Sequence, residues 1–173
     1  MIINYQTDYQ EEVKYKHLML DFLDEYEDCF ERSCLPGHFT GSAWLLNKDG
    51  SRVLLMHHTK LGIWVQLGGH CDGNSDVISV ALKEAQEESG IDEIKIVSSD
   101  IFDLDVHLIP KSTGIPSHYH YDVRFLLQVE SSDEFKSNRE SKSLKWFGTN
   151  KSELPTNELS VTRMFDKWLQ LGN

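Results

Sequence analysis

A glycine-rich tract followed at once by one amphipathic helix is the feature that most constrains this chain. Residues 66–73 read Gln-Leu-Gly-Gly-His-Cys-Asp-Gly, which is too rich in glycine for a helix interior and predicts a shaped loop. From residue 75 to residue 89 apolar side chains recur at helical spacing, with Asn74 or Ser75 as the N-cap and Gly90 in the C′ position. This is the best-defined helix of the sequence, and it directly follows the loop.

The pattern on either side of this unit predicts an α/β domain. Residues 9–31 place apolar side chains among acidic ones at near-helical spacing, which predicts an N-terminal helix. Strand-like segments are residues 39–46, 52–58, 94–97, 101–109, 119–129 and 144–147, and a closing helix covers residues 158–171. We therefore expect a mixed β-sheet between helices in a single domain, residues 1–173, with residues 1–35 as a helical extension and residues 36–173 as the core.

The composition excludes several classes of protein. A chain of 173 residues with 39% hydrophobic and 26% charged residues is globular and fits one domain. Its 17 basic and 28 acidic residues leave a net charge of −11, which argues against binding to a nucleic acid polymer or an anionic membrane. No apolar run is long enough for a membrane span or a signal peptide, and three cysteines are an odd number. We expect a reduced, cytoplasmic protein.

Three glutamates crowd the C-terminal end of the central helix. Glu84 lies three and four residues before Glu87 and Glu88, so the three share one helix face. The helix dipole disfavours each charge by roughly 0.3 to 1 kcal/mol, and repulsion between charges about 4 Å apart adds up to about 4 kcal/mol per pair at an effective dielectric of 20. A divalent cation reverses the sign of these terms, and oxygen ligands suit Mg²⁺ or Mn²⁺ rather than zinc. A solvated acidic face is the alternative interpretation.

Residues 69–91 resemble the Nudix box, the signature of hydrolases that act on nucleoside diphosphates linked to another moiety. The resemblance implies an α/β/α sandwich and Mg²⁺-dependent hydrolysis of a diphosphate bond, with Mn²⁺ as a substitute. It also implies Glu84, Glu87 and Glu88 as metal ligands, to which a backbone carbonyl at Gly69 can be added. The positions in register are Gly69, Glu84, Ala85, Glu87, Glu88, Gly90 and Ile91.

Two positions depart from the family pattern. Ser75 stands where the family has its first glutamate, and Lys83 stands where it has arginine. In the family these two residues usually form a structural salt bridge, so we interpret the changes as a lost or rerouted brace rather than a lost metal site. Asp72 or Asp76 is expected to brace Lys83 instead.

Hydrolysis also needs a base that activates water, and the family varies in where it lies. One recurring place is a loop glutamate shortly before a late strand that contains tryptophan. Glu140, six residues before Trp146, matches that place, and Glu130, Asp133 and Glu134 are rivals in the same acidic loop. Glu87 within the box is the other candidate, and the sequence does not choose between them.

Residues outside the box supply candidates for substrate binding. Arg124 and His58 are basic residues that can donate to phosphate oxygens, and Trp64 can stack on a base. On a strand, His118, His120 and Asp122 share one face. Two histidines and a carboxylate can bind a transition metal, but we favour a solvated face or a substrate contact for His120, and the sequence leaves the metal question open.

Two further functions compete with catalysis of diphosphate hydrolysis. The changes at Ser75 and Lys83 are compatible with a non-catalytic Nudix-like module that senses a nucleotide or a metal. An isomerase-type relative is a weaker alternative, since the usual cysteine and acid arrangement for that chemistry is not evident. The expected partner is a small nucleotide-type molecule, and the apolar stripe of the N-terminal helix can cover its own sheet or pair with a second subunit in a homodimer.

Overall fold

Helices pack on both faces of a mixed eight-stranded sheet in the computed structural model, which describes residues 1–59, 62–136 and 141–172. No helix within these residues is long and apolar enough to cross a lipid bilayer. The helices are α1 (Gln10–Glu25), α2 (Val77–Ser89) and α3 (Leu159–Leu171). The strands are β1 (Gly37–Leu46), β2 (Val53–His58), β3 (Trp64–Val65), β4 (Leu67–His70), β5 (Ile94–Ile96), β6 (Asp103–Ile109), β7 (His118–Val129) and β8 (Ser141–Phe147).

The sheet is organised around β1, whose ten residues are all buried. The main path of strands runs β3-β2-β1-β7-β5, while β4 pairs with β1, β6 with β7 and β8 with β2. The β1–β7 pair is parallel and the other pairs are antiparallel. The parallel register places His38 beside His120 and Thr40 beside Asp122, which aligns the polar residues of the two strands.

Alternation along β1 divides the core into two layers. Phe39, Ala43 and Leu45 belong to a cluster that includes Val80, Ala81 and Ala85 of α2. Trp44 and Leu46 point to the other side of the sheet, because successive side chains of a strand alternate, and they join Val161, Phe165 and Trp168 of α3. The predicted α/β/α sandwich with a mixed sheet is confirmed. Helix α1 lies along β6 and contributes Met19 and Phe22 to the first cluster.

The structure corrects the expected loop at residues 66–73. Residues 67–70 form β4, which pairs with β1 so that Gly68 lies opposite Ser42 and Gly69 opposite Gly41. A Cβ atom at Gly68 would collide with the Ser42 side chain. The glycines of this segment, which excluded a helix, therefore allow β4 and β1 to approach each other closely.

Several element boundaries also differ from those predicted. Helix α1 ends at Glu25 rather than residue 31, and β8 begins at Ser141 rather than residue 144. The N-cap of α2 is Asp76, not Asn74 or Ser75, and its side chain makes no capping hydrogen bond. The Asn74 side chain instead accepts a hydrogen bond of 2.9 Å from the backbone N–H of Asp76, which forms a turn before the helix.

Candidate functional site

The N-terminal half of α2 crosses β1 closely enough to leave no room for side chains between them. A Cβ atom at Gly41 would lie 2.6 Å from the Val77 carbonyl oxygen and 3.1 Å from the Ala81 nitrogen. A Cβ atom at Gly69, on the neighbouring strand β4, would collide with the carboxylate of Glu84. The Glu84 side chain, 18% exposed, therefore lies directly on the backbone of β4.

Glu88 is the buried member of the three glutamates. It is 4% exposed, and its Oε2 accepts a hydrogen bond of 2.8 Å from the backbone N–H of Gly68. A buried carboxylate is costly unless it is hydrogen-bonded, so this contact holds the Glu88 side chain in one place. The glycines of β4 thus position two carboxylates, Glu84 by steric contact and Glu88 by a hydrogen bond.

Glu87 lies one residue away and is open to solvent, with 58% of its side chain exposed. The ammonium of Lys83 is 3.3 Å from Glu87 Oε2 and 3.5 Å from Glu84 Oε1. The hydrogen bond with Glu87 is the largest influence that raises the pKa of Lys83. Glu84 and Glu87 thus already attract a positive charge, the ammonium of Lys83, which supports the interpretation of these carboxylates as a cation site.

The expected brace for Lys83 is wrong. Asp72 pairs with Arg32 through a bidentate contact whose Nη2–Oδ2 distance is 2.7 Å, and Lys83 pairs with Glu84 and Glu87 of its own helix. The hydrogen bond with Arg32 is the main cause that lowers the pKa of Asp72. Arg32 of the N-terminal extension therefore reaches the loop before α2 and pairs with Asp72, the residue that we expected to pair with Lys83.

The donor set at this end of α2 fits a hard divalent cation. Glu84, Glu87 and Glu88 offer carboxylate oxygens on the last turns of a helix that ends at Gly90, whose φ of 67° is the left-handed conformation that glycine favours. Mg²⁺ and Mn²⁺ prefer oxygen ligands. The predicted carbonyl ligand at Gly69 stays a prediction.

Arg124, predicted to bind phosphate, lies inside the protein. It is 2% exposed, and its guanidinium is paired with Asp103 at 3.1 Å, Asp105 at 3.3 Å and Asp122 at 2.7 Å. Burial alone would lower the pKa of Arg124, but the carboxylates of Asp105 and Asp122 raise it. The guanidinium donors of Arg124 are directed at these three carboxylates of the protein. The pairs therefore do not support the predicted contact with phosphate, which stays a prediction.

The structure does not bring the four predicted substrate-binding residues together. His58 ends β2, and Trp64 begins β3 on the same hairpin, where its ring lies 5.3 Å from Phe147, edge to face. Both are half-buried. His120 lies on β7 among other histidines, and Arg124 lies in the ion cluster. Glu140, the predicted base, lies outside the described residues.

Five histidines form a cluster at the start of β1 and β7. The ring centroid of His38 is 4.9 Å from those of His118 and His120 and 5.1 Å from that of His70, while the ring of His107 lies 5.5 Å from His120. Burial lowers the pKa of His120 to about 2 and that of His70 to about 4, and it also lowers the pKa of His38. These three rings are therefore neutral near pH 7.

Sequence reasoning missed His38 as a candidate site residue. The signal was the alternation of His38, Thr40 and Ser42 in a strand that otherwise reads as apolar. Thr40 and Ser42 donate hydrogen bonds of 2.9 and 2.8 Å to Asp122. This polar face continues from β1 onto β7, and only the parallel register shows which histidines meet.

Comparison with known proteins identifies similar sequences and folds. A family model described as "NUDIX domain" matches residues 36–169. The m7GpppN-mRNA hydrolase NUDT17 of Xenopus laevis is 29% identical over an alignment of 101 residues that covers 54% of this chain and 34% of that protein. The chain thus spans about a third of the length of this curated relative.

Solved structures share the fold at low sequence identity. A C. elegans Ap4A hydrolase in a binary complex has a TM-score of 0.61 at 17% identity, covering 77% of this chain and 96% of that one. The E. coli dihydroneopterin triphosphate pyrophosphohydrolase has a TM-score of 0.58 at 14% identity, covering 77% and 95%. A NUDIX-family hydrolase from Clostridium perfringens has a TM-score of 0.56 at 23% identity, covering 78% and 97%.

Proposed function

This chain belongs to the NUDIX family, and on that premise we propose that it hydrolyses a phosphoanhydride bond in a nucleoside diphosphate derivative with the help of Mg²⁺. The observation that carries the proposal is the placement of two carboxylates by β4. Glu84 lies against the backbone of Gly69, and Glu88 accepts the N–H of Gly68. Nothing in helix stability favours these charges at a helix C-terminus.

Glu84, Glu87 and Glu88 are the residues that would hold Mg²⁺, and Mn²⁺ is the expected substitute. When bound, the cation neutralises charge on the phosphates and so favours their attack by water. Because β4 holds Glu84 and Glu88 in place without a cation, these two side chains need little reorganisation on binding. Lys83 would give up its contacts with Glu84 and Glu87 as the cation binds.

A carboxylate is proposed to take the proton from the attacking water. Glu87 is exposed and adjacent to the two fixed glutamates, so it can reach a water in front of them. Glu140 is the second proposed base, on the family tendency alone. In either case the proton passes to a carboxylate oxygen while the water oxygen bonds to phosphorus and the bridging oxygen leaves with the second phosphate.

The proposed substrate is a small molecule with linked phosphates. The compared proteins are named for Ap4A, for dihydroneopterin triphosphate and for m7GpppN-mRNA. Each of these carries linked phosphates, although the last is a nucleic acid polymer. Trp64 and His58, on the β2–β3 hairpin, are proposed to contact the nucleoside and a phosphate. The net charge of −11 disfavours a nucleic acid polymer, and a small nucleotide remains the proposed ligand.

A substrate panel with product identification tests the proposal. The parent protein and Glu88→Gln are incubated with dinucleoside polyphosphates, sugar nucleotides and nucleoside triphosphates in the presence of Mg²⁺, and the products are separated by anion-exchange chromatography. We expect the parent to cleave at least one class between two phosphorus atoms, and Glu88→Gln to lose that activity. Saturable binding of a nucleotide by a well-folded parent that turns over no compound would instead support the non-catalytic module.

A further inference from the structure

We propose that His38, His118 and His120 form a second metal site, which takes a borderline transition-metal ion such as Zn²⁺ and joins the start of β1 to the start of β7. These residues share no side chain with the carboxylate site of α2. The inference rests on the geometry of the three imidazoles, on ring nitrogens that lack partners, and on a hydrogen bond that orients one ring.

The fold adds His38 of a second strand to the local pair of His118 and His120. Parallel pairing of β1 with β7 places His38 beside His120, and strand alternation puts His118 on the same face as His120. One nitrogen from each ring lies within 4.8 Å of the other two. A tetrahedral zinc ion with Zn–N bonds of about 2.05 Å separates its ligands by about 3.3 Å, so the nitrogens need to approach by at most about 1.5 Å.

Two of the rings have buried nitrogens with no hydrogen-bond partner among the described residues. His38 is 3% exposed, and neither its Nδ1 nor its Nε2 makes a hydrogen bond of acceptable geometry there; the same holds for His120 Nε2. An unsatisfied buried polar atom costs about 1 to 3 kcal/mol. A metal ion that binds one nitrogen of His38 and Nε2 of His120 would remove that cost at both of these atoms.

His118 is already oriented as a metal ligand. Its Nδ1 lies 2.9 Å from the Pro116 carbonyl oxygen. A carbonyl can only accept, so Nδ1 carries the proton and Nε2 keeps its lone pair. Metal-ligating histidines commonly donate the other ring N–H to a backbone carbonyl, which fixes the tautomer and the ring orientation. The Pro116 contact therefore prepares His118 Nε2 for a metal ion.

The donor set selects the class of metal. Three imidazole nitrogens suit Zn²⁺ and other borderline ions, whereas Mg²⁺ prefers oxygen ligands. His38 is 3% and His118 is 9% exposed, so a bound ion would be largely enclosed. Three histidines supply three of the four ligands of a tetrahedral zinc ion and leave a fourth position. His70, whose ring centroid is 5.0 Å from that of His120, lies next to the three rings.

Zinc titration of the full chain in excess Mg²⁺ tests the proposal. The Mg²⁺ occupies the carboxylates of α2, and isothermal titration calorimetry then follows Zn²⁺ alone. We expect about one equivalent of Zn²⁺ to bind to the parent and to the control variants Glu88→Gln and His17→Gln. His120→Gln and His118→Gln should each weaken binding at least about tenfold, the scale on which altered metal-site residues act.

Two further measurements separate ligand loss from unfolding. Melting temperatures in EDTA show whether each variant folds, and added Zn²⁺ should raise the melting temperature of the parent but not that of His120→Gln. Co²⁺ in place of Zn²⁺ should give the parent the visible absorption of a cobalt–imidazole complex. Zinc affinity that is lost in Glu88→Gln yet unchanged in well-folded His118→Gln and His120→Gln would overturn the proposal.

Discussion

Gly69 affects the proposed active site through the side chain that it lacks. The carboxylate of Glu84 occupies the space that a Cβ atom at position 69 would fill. The position of the Glu84 side chain thus depends on Gly69 of β4, fifteen residues earlier in the chain. A substitution at position 69 should therefore act on the metal site more than on the fold.

Gly69→Ala should weaken Mg²⁺ binding at least about tenfold, the scale seen when a residue that positions a metal ligand is changed. The new methyl group displaces the Glu84 carboxylate, while β4 can still pair with β1. Gly148→Ala is the matched control, because nothing lies within 4 Å of its Cβ position. Calorimetric Mg²⁺ titration of both variants checks the prediction, and equal affinities would show that Glu84 is not held by this contact.

The sequence revealed the three glutamates because the spacing of a helix alone puts them on one face. It did not reveal that Glu88 is buried under Gly68 or that Arg124 is paired with three aspartates. Both facts depend on which strands are neighbours. His38 was missed for the same reason, since its meeting with His120 needs the parallel register of β1 and β7.

At the scale of elements, α2 and β4 together hold the carboxylates, and Lys83 lies between two of them. Lys83 is 63% exposed, so its pairs with Glu84 and Glu87 are worth at most about 1 kcal/mol of stability. A positive charge at this place also competes with a divalent cation. Its effect should therefore appear in Mg²⁺ binding rather than in the melting temperature.

Lys83→Ala should raise Mg²⁺ affinity several-fold, because a unit charge a few ångströms from a divalent ion costs on the order of 1 kcal/mol even in a water-like dielectric. Lys83→Arg keeps the charge and should leave the affinity close to that of the parent. Both are measured by calorimetry at low ionic strength, without substrate. A fall in Mg²⁺ affinity in Lys83→Ala would show that Lys83 supports the site instead.

Substitution of Glu140 tests which residue is the proposed base. If Glu140 takes the proton from water, Glu140→Gln should lower kcat at least about tenfold and leave Mg²⁺ affinity unchanged, since a general base contributes about 10² to 10⁴-fold. Glu158→Gln, a change to an exposed glutamate at the start of α3, is the control. If kcat in Glu140→Gln stays within about twofold of the parent, the role passes to Glu87 or to an acidic residue of the 130–134 stretch.

The element pattern was predictable where periodicity is strong, as in α2, α3 and the long strands. Strand β4 was not predicted, because glycine lowers strand propensity and its pairing with β1 is not visible locally. The two-residue strand β3 is too short to carry a period. Short or glycine-containing strands such as these form because a neighbouring strand supplies their hydrogen-bond partners.

At the scale of the whole molecule, a buried ion network joins the sheet to α1 and α3. Asp103, fully buried, pairs with Arg124 at 3.1 Å, Arg163 at 2.8 Å and Lys167 at 2.9 Å. Lys167 also pairs with the buried Glu12 of α1 at 2.5 Å. Removing one member of such a network leaves an uncompensated buried charge, so the N-terminal helix and the C-terminal helix should unfold together with the sheet.

This network predicts a loss of stability in acid. Burial alone would raise the pKa of Asp103, but the Arg163, Arg124 and Lys167 contacts lower it below the ordinary value. A carboxyl group with a lowered pKa stabilises the fold above its unfolded pKa of about 3.9, and that contribution disappears as the pH falls through the folded pKa. The free energy of unfolding in urea should therefore drop below about pH 4.

Asp166→Asn is the control for this titration, because Asp166 makes an exposed pair with Lys151. This substitution should leave the loss of stability below about pH 4 unchanged. Asp103→Asn should lower stability at pH 7 by about 3 to 5 kcal/mol and show a weaker decline below pH 4. A parent whose unfolding free energy stays constant from pH 5 to about pH 2 would contradict the role assigned to Asp103.

The Mg²⁺ dependence of turnover, measured with the best substrate of the panel, is the most direct test of the proposed carboxylate site. Initial rates are followed from EDTA to saturating Mg²⁺ for the parent, for Glu88→Gln and for Glu158→Gln, an exposed glutamate at the start of α3. The carboxylate site predicts activity that rises with Mg²⁺ in the parent and in Glu158→Gln and falls at least about a hundredfold in Glu88→Gln. Phosphoanhydride cleavage that is as fast in Glu88→Gln as in the parent would contradict it.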